Sequence, residues 1–159
     1  MTTSVMTAEV AVLGIAMGIV LALVCHLTTN LSPGGMVTPG WLAVTLVENP
    51  VLVLVIGVLV LATWGAAVLL QRAVILFGKR LFAGVVTLGV LFQMSFALLT
   101  GGEQSLVVTH QTLAYIVPGL MAYQMLRQPA WPTAAATAGV STLVYGVLAV
   151  GISLNLLAV

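Results

Sequence analysis

Few side chains in this sequence are equipped for chemistry, and their spacing rules out most kinds. The three carboxylates, Glu9, Glu48 and Glu103, lie far apart, and no two share a helical face for paired acid–base work. His26 and His110 have no neighbouring ligand at metal spacing. Cys25 is the only cysteine, which excludes a disulfide within the chain and a cysteine-built metal cage. It lies in an apolar stretch and reads as a structural thiol. Ser95 and Ser141 have no nucleophile motif around them, and no phosphate-cradling glycine loop is present. No metal, cofactor or catalytic residue is therefore assigned to this chain, and any ATP-using step needs a second protein.

Two features remain. One is a pair of Pro-Gly dipeptides, Pro39-Gly40 and Pro118-Gly119, each inside an apolar stretch. Proline removes a backbone donor and clashes with the preceding turn, and glycine relaxes the chain further. In lipid, freed backbone groups cost several kcal/mol unless protein or trapped water satisfies them, so a helix broken at membrane depth usually lines a cavity. A short helix starting at either proline would point N–H groups at the break, an arrangement suited to anions. Asn30 and Thr38 in the first half, and His110, Gln111 and Thr112 in the second, add polar groups nearby. The plainer alternative is that each Pro-Gly pair begins a helix near the interface. The other feature is the basic trio Arg72, Lys79 and Arg80, a candidate docking patch or contact for an anionic polymer, or simply a determinant of topology.

The elements that must carry these groups are membrane helices. Of 159 residues, 62% are hydrophobic and 4% charged, against about a quarter charged in a soluble domain. Lipid must cover much of the surface, and a net charge of +1 offers no field for nucleic acid. A bilayer core needs about 20 apolar residues per helix. Runs near that length cover Ala8 to Thr29, Val51 to Gln71, Leu81 to Thr100 and Thr133 to Leu157, and shorter ones cover Met36 to Val47 and Thr112 to Leu126. None alternates as a transmembrane strand would. The expected fold is an all-α integral membrane protein of five to six helical segments in a single domain over 1–159. The first run lacks the basic start of a secretory signal and is expected to remain as a helix.

Punctuation and charge complete the layout. Asn30 to Gly35 breaks the first helix, Asn49-Pro50 opens the next long one, Gly101 to Ser105 is a polar turn, and Pro129 to Pro132 opens the last. The basic loop belongs in the cytoplasm by the positive-inside bias, joined by Arg127 if its segment crosses. Trp41 and Trp131 suit an interfacial belt, whereas Trp64 is deeper. Mid-helix Gln93 and Ser95 read as contacts between helices. Gly14/Gly18 and Ala135/Gly139 form small-xxx-small pairs. The two Pro-Gly elements lie 79 positions apart, as do Pro50 and Pro129, which suggests a repeat with halves 1–78 and 79–159, each with a Pro-Gly-broken helix. Three crossings per half would make the halves inverted, and re-entrant Pro-Gly elements would make them parallel.

Three stretches taken together resemble a known family: Leu31 to Leu42, Ile75 to Ala83, and Ile116 to Leu120. Their order and spacing are similar to the PgsC/CapC family, the small membrane subunit of bacterial poly-γ-glutamate synthase, from about Ala8 to about Ala149. The N-terminal tail and the Gln128 to Pro132 linker are less typical. The resemblance implies a place in the bacterial cytoplasmic membrane, as a multi-pass subunit in capsule biosynthesis. It implies a cytoplasmic Mur-ligase-like amide ligase as partner, carrying ATP and Mg, with further membrane-associated synthase subunits and an anionic polyglutamate product. It supplies no catalytic residue for this subunit. The expectation is a subunit that anchors the ligase and assists polymerisation or export, with Pro39, Gly40, Pro118, Gly119, Thr38 and Asn30 on the polymer path. Alternatives are a stand-alone small secondary transporter and a purely structural anchor. A homo-oligomer is also compatible with the sequence.

Overall fold

A computed structural model describes residues 8–74, 78–99 and 111–154. Among these there are six α-helices and no strand: α1 (Ala8–Thr29), α2 (Thr38–Glu48), α3 (Pro50–Ala73), α4 (Lys79–Leu99), α5 (Gln111–Arg127) and α6 (Ala130–Ser153). His110, Glu103, the Gly101 to Ser105 turn and Ile75 to Phe77 of the basic loop lie outside the described residues, as do the side chains of Gln111 and Thr112.

Local chemistry sets the boundaries. Helix α1 ends at Asn30, whose φ of 58° is left-handed and whose N–H reaches the His26 carbonyl at 2.9 Å. Gly34 and Gly35 continue the turn with positive φ. Asn49 closes α2 and opens α3: its N–H donates to the Thr45 carbonyl, and its side-chain oxygen accepts from Val51 N–H at 3.0 Å. Pro50 then stands at the first helical position, where no N–H is needed. Gly78, at φ 59°, supplies the left-handed turn before α4.

Four helices, α1, α3, α4 and α6, are long and apolar enough to cross a membrane. Helix α2 has 11 residues, which rise about 16 Å against a core of about 30 Å. Helix α5 has 17 residues and runs without interruption through Pro118. The expected break at Pro118 is thus corrected: one proline deletes a single i→i−4 bond, and the helix continues on both sides. Pro39 behaves differently. It stands in the first turn of α2, after the non-helical stretch 30–37, so there the chain does restart at the Pro-Gly pair.

The chain divides into two compact units. Unit 1 comprises Met1–Val53 with Ala130–Val159, and unit 2 comprises Leu54–Pro129. In unit 1, α1, α2 and α6 pack mutually, and α4 packs on α5 in unit 2. The core of unit 1 gathers Val10, Ala11, Ala43, Val44, Val140, Val144 and Leu148. That of unit 2 gathers Ala67, Leu81, Val85 and Ala122, with Trp64, Leu88, Tyr123 and Leu126 against them. Each unit therefore combines the first two helices of one sequence half with the third helix of the other.

Burial repeats in register between the halves. The buried residues of α4, Leu81, Val85, Gly89 and Gln93, fall 71 positions after Val10, Gly14, Gly18 and Ala22 of α1, all buried. On α3, Leu52, Ile56, Leu59, Val60, Thr63 and Ala67 are buried. On α6 the buried set is Thr133, Thr137, Val140, Ser141, Val144 and Leu148, each 81 positions later. Thr38, Pro39, Gly40 and Ala43 of α2 likewise match Val117, Pro118, Gly119 and Ala122 of α5 at 79 positions, all buried. Such agreement across three helix pairs, with helix order preserved, is the signature of a structural duplication with different loop lengths.

Candidate functional site

Each Pro-Gly dipeptide lies at a close approach of two helix backbones. In unit 1, a Cβ on Gly18 would collide with the backbone of Gly40, and one on Gly40 would come within 2.9 Å of the Gly14 carbonyl and Ile15 Cα. In unit 2, a Cβ on Gly89 would stand 2.8 Å from Gly119 Cα and N, and one on Gly119 would stand 2.8 Å from Val86 Cα. Ile15 and Val86 are equivalent at the 71-residue offset. Glycine at these four positions lets two backbones meet without an intervening side chain, the small-residue packing used where lipid supplies no hydrophobic drive. In this structure the glycine faces of both dipeptides are occupied by a neighbouring helix.

Gly14 of the sequence-predicted pair also packs closely, since a Cβ added there would meet Val44 Cγ2 at 2.7 Å. The Ala135/Gly139 pair does not: both residues are exposed, and nothing approaches Gly139 within 4 Å. The buried stripe of α6 begins at Thr133, two residues out of phase with that pair.

The polar candidates near the first Pro-Gly pair are largely self-satisfied. Thr38 is buried and donates to the Gly34 carbonyl at 2.9 Å. Asn30 is an exposed left-handed residue at the α1 terminus. Trp41 departs from its expected interfacial place: it is 0% exposed, on the fourth residue of a helix whose first eight positions are buried. The proline restart aims this indole into unit 1. Trp131 is 86% exposed and fits the interfacial role, and Trp64 packs on the core of unit 2. Ser95 is exposed, whereas Gln93 is wholly buried.

Among the described residues, His26 Nδ1, Trp41 Nε1, Ser141 Oγ and both amide atoms of Gln93 are enclosed without hydrogen-bond partners. Each such atom costs about 1–3 kcal/mol relative to a bonded state. Sequence patterning marks Gln93 as a polar residue in an apolar helix, but gives no sign that both ends of its amide are orphaned.

The basic residues converge in a way their sequence positions only hint at. Arg72 stands in the last turn of α3, Lys79 and Arg80 in the first turn of α4, and Arg127 at the end of α5. The core beneath joins Ala67, Leu81 and Ala122, with Leu126 against them, so these three helix ends meet at one end of unit 2. All four cations of the chain, Arg72, Lys79, Arg80 and Arg127, are therefore gathered there, and all are exposed. Tyr123 orders Arg127: its hydroxyl accepts from Nη1 at 3.2 Å, and its ring lies 5.8 Å below the guanidinium. Phe82 meets the same ring edge-on at 5.1 Å. Lys79 and Arg80 occupy a helix N-terminus, where the macrodipole disfavours cations by roughly 0.3–1 kcal/mol each. The same dipole adds to their positive field.

The duplication sharpens this asymmetry. Arg80 is equivalent to Glu9, and Arg127 to Glu48, at the offsets of their helices. The two glutamates lie at the α1 start and the α2 end, which the antiparallel Gly14–Val44 and Gly18–Gly40 contacts bring to one end of unit 1. Equivalent ends of the two units thus carry opposite charge.

These features define an all-helical membrane protein with a duplicated helix-crossing motif and one basic end. The chain belongs to the capsule biosynthesis CapC family, whose pattern matches residues 17–134. It is 27% identical over 117 residues to the PGA biosynthesis protein CapC of Bacillus subtilis (strain 168), covering 73% of this chain and 78% of that protein. It is 31% identical over 121 residues to the capsule biosynthesis protein CapC of Bacillus anthracis, with the same coverage. No solved structure matches the chain.

Proposed function

We propose that this chain is the membrane subunit of a poly-γ-glutamate synthesis and export complex. It anchors a cytoplasmic, ATP- and Mg-dependent Mur-ligase-like amide ligase and assists passage of the growing polyanion. The observation that carries this reading is the gathering of Arg72, Lys79, Arg80 and Arg127 at one end of unit 2, in a chain whose relatives are named for PGA and capsule biosynthesis. By the positive-inside bias that end faces the cytoplasm, in a multi-pass protein of the bacterial inner membrane. A cluster of exposed cations gathered around the N-terminus of α4 suits both an acidic docking surface and the first carboxylates of the polymer.

The ligase performs the bond formation in this reading: it activates a glutamate γ-carboxylate as an acyl phosphate, and an incoming amine displaces phosphate. The present chain contributes position and a route. A polyanion cannot enter hydrocarbon unaided, and neutral backbone and amide donors lower the barrier without trapping the polymer on a fixed charge.

The test uses membranes containing the ligase and its companion subunits, with and without this chain, and measures ATP- and glutamate-dependent γ-linked polymer on both sides of the bilayer. Polymer formed and carried across only when the chain is present supports the reading. Equal amounts in both preparations remove it, and solute movement in membranes holding this chain alone points to a stand-alone transporter.

A further inference from the structure

Gln93 lies away from the basic end of unit 2, and both polar atoms of its side chain are enclosed without partners. It is 0% exposed, and neither Nε2 nor Oε1 has a hydrogen-bond partner. Its position is well defined by its neighbours. The buried stripe of α4 runs Leu81, Val85, Gly89, Gln93. Leu81 and Val85 share a cluster with Ala122, and Gly89 meets Pro118 and Gly119, so α4 and α5 run antiparallel along this stripe. One turn further, Gln93 faces the turn of α5 preceding Pro118. Proline has no N–H to give the carbonyl at position 114, so that turn lacks one intrahelical bond. From Arg80 to Gln93 is 13 residues of helix, about 20 Å from the basic end toward the far side of a core about 30 Å thick. The equivalent position in unit 1 is the buried Ala22, which carries no amide.

We infer that Gln93 is a binding residue for the polymer backbone, pairing with the carbonyl of one secondary amide and the N–H of the next as the chain passes through unit 2. This rests on the proposed role in polymer export. The chemistry selects the ligand group. An orphaned carboxamide needs an acceptor for Nε2–H and a donor for Oε1. A carboxylate offers only acceptors and would leave Oε1 bare, and an acyl chain offers neither. A run of secondary amides supplies both: each is trans, with C=O and N–H opposed, so the carbonyl of one meets Nε2–H and the N–H of its neighbour meets Oε1. A γ-linked glutamate chain presents one such amide per residue. The amide binds without charge, so each step along the polymer replaces one equivalent pair of hydrogen bonds by another. The bond missing at Pro118 makes that turn of α5 the part of the pair that can yield to admit the chain.

The test compares wild type, Gln93→Met and Gln93→Glu in the assembled complex in sealed vesicles. Methionine keeps the length and volume and removes both orphaned atoms. Readouts are co-purification of the ligase, melting temperature in detergent, polymer made, and polymer carried across. The expected result for Gln93→Met is unchanged assembly, an equal or higher melting temperature, and polymer transfer reduced tenfold or more, with γ-linked product held on the ligase side. Gln93→Glu, which loses the donor and repels the polyanion, transfers no more than Gln93→Met. Transfer by Gln93→Met at the wild-type rate overturns the assignment while leaving the complex role intact. Loss of melting temperature or of a partner subunit in step with transfer also overturns it, making Gln93 a contact between helices. Wild type that transfers no more than membranes lacking the chain removes the export reading itself.

Discussion

At the scale of single residues, the glycines sort into two groups by what surrounds them. Gly18, Gly40, Gly89 and Gly119 stand where a methyl group meets backbone, which cannot rotate away. Alanine at any of them forces helices apart and is expected to cost about 1–3 kcal/mol, read as a lower melting temperature in detergent. Gly57, Gly65 and Gly139 are helical with open space around them, so alanine there should be neutral or raise stability by up to about 1 kcal/mol. Equal effects in the two groups would refute the close-crossing account. Trp41 gives a second contrast. Trp41→Phe removes an unpartnered indole N–H while keeping most of the ring, and is expected to leave the melting temperature nearly unchanged. Trp41→Ala empties a fully buried site and should cost about 3–5 kcal/mol.

At the scale of elements, helix ends carry most of what the sequence announces. The α1 boundaries follow from apolar run length and from Asn30, and the observed span Ala8–Thr29 is the expected one. Asn49-Pro50 is equally explicit, because its cap is a local bond that needs no distant partner. Asn49→Ala should lower stability by about 1 kcal/mol through loss of that cap, whereas Asn49→Asp should retain most of it, both measured by thermal unfolding. Pro118 is less legible. A proline reads alike whether it starts a helix or lies within one, and the structure places Pro118 inside an uninterrupted α5 packed on α4. Replacing Pro118 by Ala restores an N–H to the carbonyl at position 114. It is expected to stiffen α5 and raise the melting temperature, with slower polymer transfer if that turn must yield.

At the scale of the whole molecule, the two units share a plan and differ in charge. Unit 2 gathers every Lys and Arg of the chain at one end, and the equivalent end of unit 1 bears Glu9 and Glu48. Reversing all four cations to Glu should change the sidedness of unit 2, seen as altered accessibility of single introduced cysteines to a membrane-impermeant thiol reagent in a Cys25→Ser background. Neutralising only Arg72, Lys79 and Arg80 to Ala, with Arg127 retained, is expected to leave sidedness in place. It should reduce ligase retained on membranes at least tenfold at moderate salt, with wild-type binding falling steeply as ionic strength rises. Retention that is independent of both the trio and salt would remove electrostatic docking.

The sequence by itself determined the class of structure and its linear parts. A chain with 4% charged residues has no other solvent than lipid, and lipid admits helices because every backbone group must be satisfied within the segment. Run length, Asn-Pro caps and the 79-residue Pro-Gly spacing are local signals and survive without a fold. Tertiary structure alone decided which faces meet. Three different offsets relate the repeated helices, and one sequence period cannot express all three. The third helix of each half also joins the other unit, an exchange invisible to any local pattern. In helices apolar on nearly every side, hydrophobic periodicity does not mark the buried face. Only packing showed that Gly18 and Gly89 are contact points while Gly139 is not, and that Gln93 is enclosed with its amide unanswered.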